Sequence, residues 1–255
     1  MTDTFSVAAQ VLEQWGATVT SIPASHKNES DWLAQFGTYR LLVEEKTKIE
    51  EPEATAARAK TLARGEVHGS TLPLGYNNRL SGIVRKAAKQ LSSTGQDVAH
   101  DGRVVWFTGT GFDAEAKHYQ FIGTLYGSTK IFQLNHPGMK ECYFFRNADF
   151  FRFGKQLDGA VVAFLHGNTV TVKLCLNPYS ERWESLRDSP FASHFELGLI
   201  DPVAEEAAGE AYIADTDQPR SDLDAVIRYL EVKYGLEHAH NMDMNMASAV
   251  VAAPR

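Results

Sequence analysis

The stretch SDWLAQFGTYRLLVEEKTK, residues 30–48, decides how this chain is read. Gly37-Thr38 separates two runs of apolar and aromatic residues, and glycine at the first central position suits a two-residue type II′ hairpin turn. Counting outward from that turn pairs Phe36 with Tyr39, Gln35 with Arg40, Ala34 with Leu41, Leu33 with Leu42, Trp32 with Val43 and Asp31 with Glu44. Strand side chains alternate, so Trp32, Ala34, Phe36, Tyr39, Leu41 and Val43 share one apolar face. That face must be core. Asp31, Glu44 and Lys46 project from the other side, and Glu45 points with Val43 toward the opposite side, so alternation selects Glu44 over Glu45 for the site.

Directly opposed residues hold their Cβ atoms about 4.5–5.5 Å apart, where like charges destabilise. A carboxylate pair in that position needs compensation. A divalent cation supplies it, because Mg²⁺ takes carboxylate oxygens and keeps several waters. Lys46, two residues on and on the same face, is placed to orient or activate one of those waters. A second E-x-K triplet, Glu231-Val232-Lys233, lies within a helical pattern of Leu223, Val226, Ile227 and Leu230 and reads as a surface helix face.

A chain of 255 residues with 44% apolar and 22% charged content belongs to the ordinary soluble globular class. No run approaches the roughly 20 apolar residues of a membrane span. The opening MTDTFSVAAQ lacks the basic and apolar regions of a signal peptide. Cys142 and Cys175 offer neither a disulfide framework nor a zinc spacing. The expectation is a reduced, cytoplasmic protein. A net charge of −7 argues against a polyanionic partner for the chain as a whole. Between Arg58 and Lys89, however, Arg58, Lys60, Arg64, Arg79, Arg85, Lys86 and Lys89 stand against the single acid Glu66. Such a segment can meet a polyanion locally.

Periodicity predicts a helix over 4–15, a strand over 17–22, the two hairpin strands, a helix over 51–65, a Gly/Ser/Pro-rich loop, a long helix over 77–93 and a strand over 103–109. Farther on it predicts a helix over 113–127, strands over 130–134, 141–146, 159–165 and 169–176, and a helix over 177–189. His166-Gly167-Asn168 fits a tight connection. Phe144, Phe145, Phe150, Phe151 and Phe153, interleaved with Arg146 and Arg152, read as core packing ahead of base stacking.

The run from Ser30 to Lys48 resembles the signature of the PD-(D/E)XK nuclease superfamily, an acid on one strand followed by an apolar strand ending in E-x-K. The order helix, three strands, helix, strand is similar to that superfamily's core, and the resemblance covers roughly residues 4 to 109. It implies that Asp31 and Glu44 are metal ligands, with Mg²⁺ or Mn²⁺ as cofactor, and that Lys46 is the catalytic lysine. It also implies an auxiliary acid at Glu13 and a site glutamine at Gln90, with Lys86 one turn before it. Two departures blur the subfamily: Thr94 stands where some members carry tyrosine, and Ser30 where a proline precedes the first acid.

The expectation is therefore an α/β protein with a restriction-endonuclease-like core at 1–110, a mixed α-β-β-β-α-β sheet flanked by helices. An α+β extension at 111–198 completes the sheet or recognises substrate, and 199–255 is an acidic linker, terminal helix and mobile tail. The expected activity is metal-dependent hydrolysis of nucleic acid, DNA ahead of RNA, gripped by Arg79, Lys86 and Lys89. A homodimer is compatible with it. The alternative is a non-catalytic nuclease-fold protein that binds nucleic acid or a protein partner; a further enzymatic rival acts on another polyanion.

Overall fold

The computed structural model describes residues 6–23, 29–134, 136–167, 169–242 and 246–253. Helix α1 (Val7–Gln14) starts at Ser6, whose side chain accepts the Ala9 N–H, and it buries Val7, Ala8 and Leu12. Strands β1 (Thr18–Ser21), β2 (Trp32–Phe36) and β3 (Tyr39–Lys48) form an antiparallel meander. The β2–β3 register is the expected one, from Phe36 opposite Tyr39 to Trp32 opposite Val43. Gly37 has φ +60° while Thr38 stays out of the positive-φ region, as a type II′ turn requires.

Helix α2 (Pro52–Ala63) buries none of its residues. Strand β4 (His68–Pro73) follows, and then α3 (Asn78–Asp97), whose first N–H groups are capped by the Asn77 side chain. Strand β5 (Gly102–Gly109) lies parallel to β3 and is buried along its whole length. The chain continues through α4 (Ala114–Tyr126), β6 (Thr129–Gln133), β7 (Met139–Tyr143), α5 (Asp149–Arg152), β8 (Gly159–His166) and β9 (Thr169–Leu176). It ends with α6 (Trp183–Arg187), β10 (Leu199–Ile200), α7 (Pro202–Ala207), β11 (Ala211–Ile213), α8 (Leu223–Tyr234), β12 (Ala239–Asn241) and β13 (Met246–Val251).

The result is a mixed seven-stranded sheet, β1-β2-β3-β5-β8-β9-β10, in which β3, β5 and β8 run parallel. Both faces are covered. On one, α3 and α4 bury Leu42, Val105 and Phe107, with the Phe107 and Phe121 rings stacked at 4.0 Å. On the other, α1 and residues near Phe191 and Phe195 bury Leu41, Val43 and Trp106. Double coverage explains why β5 reads as an unbroken apolar run rather than an alternating one. A smaller sheet, β11-β7-β6-β12, packs Ile131, Cys142 and Phe144 with Val226 and Leu230 of α8, and β4 pairs with β13 as a two-stranded ribbon.

Several expectations change here. Residues 199–220 are not a linker: β10 joins β9, Asp201 caps α7, and β11 joins β7. The tail contributes β12 and β13 to sheets instead of standing free, and β13 draws the expected loop after Gly65 into β4. Helix formation over 177–189 is confined to Trp183–Arg187. The strand expected over 141–146 ends at Tyr143, since Phe145–Asn147 turn into a 3₁₀ segment. Strands β8 and β9 of the segment after residue 110 extend the same sheet, and Leu42 and Leu80 share one apolar cluster with Phe121 and Ile213. Gly167 has φ +58°, as a tight connection needs, and Asn168 lies outside the described residues.

Candidate functional site

Asp31 stands immediately before β2, and its Oδ2 accepts the Glu45 N–H at 2.7 Å. That bond pins the Asp31 carboxylate at the strand position opposite Glu44. Glu44 and Lys46 lie with Leu42 on the face covered by α3, and Lys46 Nζ donates to Glu44 Oε1. The Glu44 side chain is 0% exposed and that of Lys46 27%. Among the described residues Glu44 Oε2 has no hydrogen-bond partner, although the Asp31 N–H also favours the charged carboxylate.

Burial disfavours the charged carboxylate and pushes Glu44 up to about 7; the Lys46 hydrogen bond opposes this and the nearby Asp31 charge adds to it. Asp31 is also raised, first by burial, against the pull of the Glu45 N–H and Lys46. A buried acid with an unpartnered oxygen beside a second acid is costly by itself and suits a cation. The pair offers two carboxylates, within the one or two that Mg²⁺ uses alongside its waters. Among the described residues no group of three or more His, Cys, Asp or Glu side chains converges to hold a metal.

Glu45 faces the other way and is far from idle. Its Oε1 accepts the Ala8 N–H at 3.1 Å, and its Oε2 accepts the Trp32 Nε1–H at 3.2 Å and the Ser6 hydroxyl. One carboxylate thus ties the first turn of α1 to the hairpin. The available signal in the sequence was Trp32, a diagonal neighbour of Glu45 on the same strand face.

Among the described residues Gln90 makes its side-chain hydrogen bond to backbone and not to either carboxylate. Its Nε2 donates to the Glu29 carbonyl at 3.0 Å, and one turn later Thr94 Oγ1 accepts the Ser30 N–H at 2.8 Å. Together they hold the chain just ahead of Asp31, so Gln90 and Thr94 are positioning residues for the first acid. The role of Thr94 was not visible in the sequence, where it registered only as a departure from the family pattern.

Glu13 is not brought to the site. Helix α1 packs on the Val43–Trp106 face, the side of the sheet opposite Glu44, and Glu13 is exposed near the end of that helix. Arg79 and Lys86 are exposed and stand eleven and four residues before Gln90, on the flank of α3 that meets Glu29. Lys89 is turned toward the other flank, where with Arg85, Ser92 and Phe153 it lines a cleft of about 380 Å³. Arg79 lines a different cleft, with Lys48 and Asp113, past the ends of β3 and β5. None of the principal clefts is lined by Asp31, Glu44 or Lys46.

Family models, curated proteins and solved structures yield no match to this chain. Among the described residues no helix is long and apolar enough to cross a membrane. Cys142 and Cys175 are buried free thiols.

Proposed function

We propose that the chain is a metal-dependent phosphodiesterase acting on nucleic acid, with DNA ahead of RNA, built on a restriction-endonuclease-like core. The observation that carries it is the convergence of Asp31, Glu44 and Lys46 on one strand face, with Glu44 buried and one of its oxygens unpartnered. The core reading is supported by α1, three antiparallel strands, α3 and the parallel β5, with α2 and β4 as insertions.

Asp31 and Glu44 would hold Mg²⁺ or Mn²⁺, which lowers the pKa of a bound water and polarises a phosphoryl oxygen. The chain's own part is distinct. Gln90 and Thr94 fix the approach of Asp31, and Glu45 anchors the hairpin from behind. Lys46 carries its charge to the partly exposed rim of the site, where it stabilises negative charge developing on the phosphate. To do so it must exchange its bond to Glu44 for one to the substrate.

The test is incubation of the purified chain with plasmid and linear DNA, with Mg²⁺ or Mn²⁺ and with chelator. Metal-dependent cleavage that disappears in Asp31→Asn, Glu44→Gln and Lys46→Met supports the reading, and cleavage that survives all three overturns it. The complete burial of Glu44, away from any principal cleft, favours the second reading, a non-catalytic nuclease-fold protein that binds nucleic acid or a protein. DNA binding without cleavage under every metal condition would select it.

A further inference from the structure

Arg220 lies in the turn before α8, half-buried, with its guanidinium carbon 5.7 Å from the ring centroids of both Tyr76 and Phe144. Among the described residues it makes no ion pair or hydrogen bond, so its five N–H donors have no protein acceptor. The acids of its own loop do not neutralise it, because Arg146 engages both Asp215, at 3.0 Å, and Asp217. Burial pulls the guanidinium below its ordinary pKa. The C-terminus of α4 ends beside it at Gly127, where φ is +63° and an added Cβ would meet Arg220 Nη1 at 3.4 Å. Helix-end carbonyls ease a positive charge without using up its donors.

A second guanidinium shares the same ring. Arg152 lies 5.5 Å from the Tyr76 centroid and its Nη1 donates to Tyr76 Oη at 2.6 Å. Tyr76 Oη in turn donates to Ser81 Oγ at 2.8 Å, and Ser81 Oγ donates to the buried Asp149 at 2.9 Å. Arg85, on α3, acts on the Asp149 charge and also lines the cleft that holds Lys89. Arg152, which also pairs with Asp149 at 3.6 Å, and Arg85 both act on that buried carboxylate, while Arg152 and Arg220 share the Tyr76 ring. A half-buried arginine with no acceptor among the described residues, on a ring that also carries a second arginine, is matched by the oxygens of a phosphate, which a planar guanidinium meets two at a time.

We propose that Arg220 and Arg152 bind a backbone phosphate of a nucleic-acid strand, which then follows α3 past Arg85 and Lys89. From Ser81 to Gln90 the helix rises about 14 Å, a span of roughly four nucleotides at 3.4 Å each. The strand would thus run along the Lys89 flank of α3 as far as the turn whose opposite flank carries Gln90. This binding does not depend on cleavage at Asp31 and Glu44.

The test uses the full chain in excess chelator, so that nothing is hydrolysed. Anisotropy of a fluorescein-labelled oligonucleotide, single-stranded and duplex, is followed across a salt series for the wild type, Arg220→Gln, Arg152→Gln and Arg187→Gln. Arg187 is a control: it lies on α6 and pairs with Asp188 at 2.9 Å. Arg220→Gln and Arg152→Gln should each weaken strand binding about five- to tenfold and reduce the salt slope by about one; Arg187→Gln should do neither. Because Arg220 also packs on two rings, circular dichroism checks its fold, and Arg152, 52% exposed, decides if Arg220→Gln is misfolded. Unchanged affinity and salt slope in both arginine variants overturn the proposal. So does a parallel melting series in which inorganic phosphate stabilises the wild type, but not Arg220→Gln, while strand affinity stays equal.

Discussion

Glu45 Oε1 accepts the Ala8 N–H at 3.1 Å, so a strand carboxylate serves as an outside cap for the first turn of α1. The same carboxylate receives the Trp32 indole and the Ser6 hydroxyl. Glu45→Ala removes the acceptor for all of these donors at once and leaves the α1 amide and the indole short of a partner. Loss of a helix cap costs about 1 kcal/mol, and partly buried donors left behind add to it. A fall of roughly 1–3 kcal/mol in urea denaturation is expected. A change below about 0.5 kcal/mol, the usual size for an exposed surface site, would contradict this anchoring role.

Glu44 should behave in the opposite sense. Its folded pKa, pushed by burial from the ordinary 4.5 to about 7, means that the folded chain keeps a proton the unfolded chain releases. The contribution of Glu44 to stability is therefore full below pH 4.5, falls as pH rises toward about 7, and is lost above it. At 1.36 kcal/mol per pH unit the total is at most about 3 kcal/mol. Metal-free Glu44→Gln should lack this slope and melt higher than the wild type at pH 8. A wild-type profile that is flat between pH 4.5 and 7, or identical to that of the variant, would rule the buried proton out.

Metal should reverse that balance. Mg²⁺ or Mn²⁺ at a hundredfold excess over Kd stabilises the chain by about 2.7 kcal/mol if it binds only the folded state. The rise in Tm should be undone by chelator and absent in both Asp31→Asn and Glu44→Gln. An equal rise in those variants would place the metal elsewhere.

Gln90 and Thr94 act on the site only through the backbone of Glu29 and Ser30. Gln90→Ala and Thr94→Val should each lower stability by about 1 kcal/mol. If the chain cleaves DNA, kcat should drop with little change in KM, since both side chains position Asp31 and neither binds substrate. A rise in KM alone would show that this flank of α3 meets the nucleic acid directly.

Glu13 provides the complementary test of topology. It sits on the α1 side of the sheet, with β3 between it and Lys46. Glu13→Ala should leave metal binding and cleavage within about twofold and stability within about 0.5 kcal/mol. A dead Glu13→Ala enzyme would mean that α1 moves to the other face in the active state.

The hairpin was legible because it is local. A glycine turn fixes the register of β2 and β3, and alternation then assigns every side chain from Asp31 to Lys46 to a face. Helix α3 was equally legible from its periodicity and its Asn77 cap, and β5 from its apolar run. What those local rules could not supply is what covers each face. Alternation assigns Glu44 to the face opposite Val43, but only the packing of α3 over that face decides that the acid is buried. Glu45 gained a role because α1 arrives on the opposite face, and Glu13 lost its role for the same reason. The distant pairings were hidden too. Thr71 meets Ser248 across the β4–β13 ribbon at 2.8 Å, and β10 is only two residues long. Neither strand announces itself by propensity, because the hydrogen bonds that make it a strand come from chain far away in sequence. Arg220 shows the limit most plainly: at the end of an acidic stretch it reads as one more surface charge. Its aromatic neighbours, and its lack of a hydrogen-bond partner among the described residues, emerge only when Tyr76, from before α3, and Phe144, from after β7, close around it.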